Sequence, residues 1–306
     1  MSGSSEQAES LGVREFPVAE AEAGPYGITT GADGALWFTL VHSGEIGRLT
    51  VDGVVDRFPA GNTGCRPAII AAGADEALWF TRSGDDHIGR ITTDGAVTAF
   101  ELSAGSGPFG LCAGPDDALW FTEMNTDRIG RITTDGGVTH FDLPVAGAFP
   151  SMIAAGADAA LWFTLNRAGA IGRIDLDGRT TVFPLPDAGA PVGITRGPDD
   201  SMWFADIAGG RIGCIDGHGA FRMFPLPDRA AKPHAITALP SGDCWFTEWG
   251  ANRLARIGSS GAVGEYDLPT PESEPHGLTV GPDGAVWAAL EVGTVVRLAP
   301  EHARAV

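Results

Sequence analysis

PFGLCAGPDDALWFTEMNTDRIGRITTDGGVTHFDLP, residues 108–144, holds one full unit of a pattern that recurs along the whole chain. PFGLCAG is a short apolar strand and PDD a turn. ALWFTE is a second strand, rich in aromatic and β-branched residues, and NTDR a loop. IGRITT makes a third strand, DGG a turn, and VTHFDLP a fourth. Asp-Gly tolerates the positive φ that tight hairpin turns demand. Working outward, Trp120 of this unit is one of seven evenly spaced tryptophans: Trp37, Trp79, Trp120, Trp162, Trp203, Trp245 and Trp287, each 41 or 42 residues from the next. Self-similarity at such a period marks a repeat architecture. Four antiparallel strands per unit, seven times over, predict an all-β seven-bladed β-propeller with four-stranded antiparallel blades.

Closure is also legible. The fourth-strand pattern follows repeats one to six as VDRFPA, VTAFEL, VTHFDLP, TTVFPLP, FRMFPLP and VGEYDLP, but repeat seven ends at VVRLAP without it. The missing strand stands at the other end of the chain as VREFPV, residues 13–18. The last blade is therefore expected to be closed by the N-terminal strand, which removes two open sheet edges.

Composition agrees with this architecture. The 44 glycines and 21 prolines among 306 residues suit many short strands and tight turns rather than helices. A net charge of −19 disfavours nucleic-acid phosphates and admits neutral or cationic ligands. No apolar run approaches the ~20 residues of a membrane span, and the opening MSGSSEQAESLG has neither the basic start nor the apolar stretch of a secretory signal. Residues 1–11 read as a disordered leader, 12–300 as one propeller domain and 301–306 as a tail. Cys65, Cys112, Cys214 and Cys244 form no CxxC pair and share no repeat phase, which fits free thiols in a cytoplasmic protein. A closed ring with a charged surface is expected to stand as a monomer.

Aligned repeats serve as internal controls. A proline opens each first strand, and the residue after it should sit at the channel mouth. Those residues are Tyr26, Ala68, Phe109, Ser151, Val192, His234 and His276. Variation on a rigid framework is where binding sites are placed. Two histidines in adjacent blades are either wall imidazoles bonded to carbonyls or parts of a site. The remaining histidines, His42, His87, His140, His218 and His302, lack this register and read as surface residues.

A second exception lies in blade seven. The GPDG turn at 281–284 sets Glu274 opposite Glu291, at the same end as His276. Facing residues of a ladder lie roughly 5 Å apart, and like charges there need compensation. The slot of Glu274 holds Gly24, Arg66, Gly107, Phe149, Ala190 and Lys232 elsewhere; that of Glu291 holds Val41, Ser83, Met124, Asn166, Ile207 and Trp249. Two carboxylates suit a hard divalent ion such as Mg²⁺, the alternative being two solvated glutamates. Trp249, outside the seven spaced tryptophans, reads as a pocket wall or as packing under a loop.

With these residues placed, the chain resembles the streptogramin B lyases, also called virginiamycin B lyases. The likeness covers about residues 13–299 and is sharpest in KPHAI (232–236), WFTEWGANR (245–253), SEPHGL (273–278) and WAALE (287–291). GNTGCRP, in the second repeat, does not match the family's corresponding loop. The resemblance implies His276 as general base, Glu274 and Glu291 as Mg²⁺ ligands, and His234 and Trp249 in contact with substrate. Tyr26 on the same ring joins them as a substrate-binding candidate. The implied reaction is β-elimination at the threonyl ester of a small cyclic depsipeptide antibiotic, conferring resistance. An imidazole is a natural base near neutral pH, worth roughly 10²–10⁴-fold. A metal-assisted lactone hydrolase and a non-catalytic binding propeller are the competing readings, because fold alone does not decide function.

Overall fold

Each LWFT segment forms the second strand of a blade, and its residues are the most deeply buried in the molecule, with Leu36, Trp37, Phe38 and Thr39 all at 0% exposure. A computed structural model describes residues 12–240 and 242–299; the expected leader, the tail and His302 lie outside them. The indole of Trp37 donates to Asp33 Oδ1 at 3.0 Å, and Arg48 from the third strand donates to Asp33 Oδ2 at 2.7 Å. One turn carboxylate thus ties the first hairpin to the next strand with charge-assisted bonds. Asp75, Asp116, Asp158 and Asp283 repeat the arrangement in blades two, three, four and seven. Blade five has Cys214 where the others carry arginine, and Arg222 on the adjacent fourth strand reaches Asp199 instead, at 2.7 Å. The fourth strand also lays a phenylalanine on the tryptophan, as in Trp120–Phe141, with centroids 5.4 Å apart.

The glycine of IGRI has a packing cause. A Cβ on Gly47 would lie 2.1 Å from the Phe38 ring. Blade seven redistributes the volume, pairing Val296 with Ala288, which stands where other blades have phenylalanine.

The strands form seven four-stranded sheets among the described residues. Blade one comprises Pro25–Thr30, Leu36–Leu40, Glu45–Leu49 and Val55–Pro59. Blade seven comprises Pro275–Val280, Val286–Leu290, Thr294–Leu298 and, as its outer strand, Val13–Pro17. The closing strand runs antiparallel, from Val13↔Leu298 to Pro17↔Thr294, and stacks Phe16 on Trp287 at 5.2 Å. Ring closure by the N-terminal strand is therefore as the sequence pattern predicts.

Two features place the channel mouth. Every first strand breaks register just after its proline, between Pro25 and Ile28 in blade one and between Pro275 and Leu278 in blade seven. Such a bulge re-aims the residue it contains, and Tyr26, His234 and His276 all occupy it. Neighbouring blades are then tied by the threonine of LWFT: Thr39 Oγ1 donates to the Ala68 carbonyl at 2.7 Å, and Thr247 to that of His276 at 2.9 Å. Ala205 and Ala289 stand at the equivalent positions of blades five and seven. Their side chains have no hydroxyl to offer the carbonyls of His234 and Tyr26.

Candidate active site

Glu274 holds a left-handed backbone, φ 49°, immediately before the proline of blade seven, and its carbonyl accepts the Glu291 N–H at 3.3 Å. This bond closes the end of the ladder and sets the two glutamates side by side, as the hairpin count predicts. His276, 7% exposed, projects from the bulge into the same corner. Its Nε2 lies 2.6 Å from Glu291 Oε2. A carboxylate only accepts, so the imidazole donates. One ligand atom from each of Glu274, His276 and Glu291 falls within 4.8 Å of the others. That set of two carboxylates and one imidazole fits a divalent cation that prefers oxygen donors.

An aromatic wall surrounds the imidazole. The ring of Tyr26 is 4.4 Å from that of His276, His234 is 5.2 Å away edge-on, and Trp249 is 6.5 Å away. Phe109 packs on Tyr26 at 6.1 Å, and Lys232 lays its ammonium 4.6 Å over the Trp249 ring. Beneath them the channel opens into a cavity of about 570 Å³, lined in part by Tyr26, Phe109, Phe149, Val192 and His234. All six sequence candidates thus converge on one corner. Trp249 stands beside His276 but not among the residues that line the cavity, and its Nε1 is buried without a partner.

Burial governs the protonation of this corner. His234 is pushed down to about 3, first by burial and then by the neighbouring His276, so it stays neutral at ordinary pH. Its Nδ1 and that of His276 are buried without hydrogen-bond partners. Glu291 is pulled down to about 2, chiefly by the His276 hydrogen bond and against the opposing effect of burial. Tyr26 is raised, by burial above all and then by the charge of Glu291.

The structure also adds a residue that the repeat comparison passed over. His42 is partly exposed, in keeping with its surface reading, yet its Nε2 reaches Glu291 Oε1 at 2.9 Å. The signal was one position beyond Val41, the counterpart of Glu291: that slot holds Gly84, Asn125, Arg167, Ala208, Gly250 and Val292 in the other blades. The four cysteines are free and Cys65, Cys214 and Cys244 are buried. Among the described residues no helix is long and apolar enough to cross a membrane.

Comparison with known proteins places this corner in context. A 41-residue stretch is 63% identical to a virginiamycin B lyase of Saccharopolyspora erythraea, covering 13% of this chain and 14% of that protein. Structural likeness extends much further. Selenomethionine-substituted virginiamycin B lyase from Staphylococcus aureus superposes with a TM-score of 0.90 at 40% identity, over 93% of this chain and 98% of that one. A catalytically inactive variant of the Staphylococcus aureus enzyme with quinupristin superposes equally well. Residues 11–298 match the virginiamycin B lyase family, and the chain belongs to it.

Proposed function

We propose that this protein is a monomeric, cytoplasmic, Mg²⁺-dependent carbon–oxygen lyase that linearises streptogramin B antibiotics by β-elimination and so confers resistance. The observation that carries the reading is His276 beside the paired carboxylates Glu274 and Glu291, at the mouth of an aromatic-walled cavity. Relatives named as virginiamycin B lyases, one of them with quinupristin, indicate the substrate class.

In the proposed reaction His276 removes the α-proton of the threonyl residue. The C–H electron pair forms the Cα=Cβ double bond as the Cβ–O bond breaks, and the ester oxygen leaves as a carboxylate. The ring opens to a dehydrobutyrine and no water is consumed. The imidazolium so formed lies beside the Glu291 carboxylate, an ion pair that favours proton uptake. Glu274 and Glu291 would hold Mg²⁺, which when bound supplies Lewis-acid stabilisation of negative charge on substrate oxygens. His234, neutral and lining the cavity, can hydrogen-bond the depsipeptide. Tyr26 and Trp249 supply apolar faces for its side chains.

The test is mass spectrometry of a streptogramin B incubated with the protein in H₂¹⁸O, with and without EDTA. A linear product of unchanged mass, without ¹⁸O and formed only when metal is present, is expected. A product that carries one ¹⁸O would make the protein a hydrolase and overturn the elimination.

A further inference from the structure

His42 follows the second strand of blade one, so it comes from a different blade than the carboxylate it touches. Its Nε2 meets Glu291 Oε1 at 2.9 Å while His276 Nε2 meets Oε2 at 2.6 Å. The carboxylate is thereby held at both oxygens, one by each side of the seam where the ring closes. His42 itself is not part of the three-residue donor cluster. Its backbone N–H is anchored to the Ala23 carbonyl at 3.0 Å, on the segment joining the closing strand to blade one.

The imidazole sits in a seat built for it. A Cβ on Gly24 would lie 2.4 Å from His42 Cδ2. Gly24 has φ 67°, a conformation that ordinarily calls for glycine. Yet Arg66, Phe149, Lys232 and Glu274 occupy the same repeat position at φ 47°, 55°, 52° and 49°. The backbone there accepts a side chain in four other blades. In blade one a side chain at this position would meet the His42 ring where it now stands.

We propose that His42 is a positioning residue, which fixes the Glu291 carboxylate from across the blade-seven/blade-one seam so that Oε2 faces His276 and Glu274. The inference rests on the lyase reading for its effect on turnover, and on geometry alone for the clamp. Partners that orient a ligating group commonly govern metal affinity or activity by about 10–100-fold.

Three variants test it. In His42→Ala, Mg²⁺ affinity measured by calorimetric titration should fall by about 10–100-fold. Its kcat should drop by a similar factor, with a smaller change in KM. His42→Gln, whose amide N–H can reach the same oxygen, should recover most of both. Gly24→Ala keeps the imidazole but fills its seat, and should reproduce the loss. In metal-free protein labelled with ¹⁵N-histidine, the His276 Nε2 resonance should move in His42→Ala. Unchanged Mg²⁺ affinity, kcat and His276 signal in His42→Ala would overturn the proposal, as would a loss in Gly24→Ala that His42→Ala does not share. If the wild type neither opens the ester nor binds Mg²⁺, the lyase reading fails. The His276 signal then decides the clamp by itself, a shift supporting it and constancy overturning it.

Discussion

His276 is distinguished from the six residues at its repeat position by what faces it. The framework presents Tyr26, Ala68, Phe109, Ser151, Val192 and His234 at the same bulge, but only His276 has carboxylates both before its proline and at the end of the paired strand. Removing the imidazole takes away the proposed base and leaves the blade intact, because the propeller's fastening lies in the Trp–Asp–Arg ties and the LWFT core. His276→Ala should therefore lower turnover by roughly 10²–10⁴-fold or more. Thermal unfolding should shift little, since no strand bond runs through the side chain. Kinetics and calorimetry on the same preparation check this, and substantial surviving activity would remove His276 from the role of base.

At the scale of the blade, the turn aspartates are the recurrent fastening. For Asp33, burial pulls the carboxyl upward, but the Trp37 indole and the Arg48 guanidinium outweigh it and hold the group below its ordinary range. Asp75, Asp116, Asp158, Asp199 and Asp283 are lowered in the same way. A carboxyl lowered by folding adds stability that is complete above its unfolded pKa, near 3.9, and is lost as pH falls through the folded value. His234 acts in the same direction, because below about 6.5 the unfolded chain binds a proton that the native imidazole refuses until about 3. Glu248, pushed up to about 7 by burial above all, acts in the opposite direction as pH falls from about 7 to about 4.5 and offsets His234 there. The melting temperature should thus change little down to about pH 4.5 and fall steeply below about pH 4. Thermal melts from pH 3 to 8 check this; a flat profile down to pH 3 would count against the aspartate ties as stabilising elements.

For the whole molecule, the seam between blades seven and one is where ring closure and the candidate site meet. Phe16 of the closing strand, 5% exposed and stacked on Trp287, holds the blade that carries Glu274, His276 and Glu291. Phe16→Ala should cost about 3–5 kcal/mol, the usual range for truncating a buried aromatic. Phe183→Ala loosens the matching stack on Trp162 in blade four, away from the site. On warming, Phe16→Ala should lose lyase activity before its bulk unfolding, whereas Phe183→Ala should lose both together. Activity and circular dichroism followed on one temperature ramp decide between them.

The blade count, the strand order and the closing strand were all legible in the chain, because tryptophan spacing, turn residues and the orphan VREFPV each reflect local geometry that recurs seven times. Glu274, His276, Glu291, His234, Trp249 and Tyr26 were legible for a related reason: each departs from an internal standard, and one hairpin count places Glu274 opposite Glu291. His42 was not. It lies at the end of a blade-one strand, 249 residues from Glu291, and no ladder or turn relates the two. Only closure of the ring brings the first blade against the last. The sequence by itself determined the repeating unit and the exceptional residues within it, since those depend on near neighbours along the chain. The tertiary structure alone decided which side chains meet across the seam, since that depends on how seven blades close.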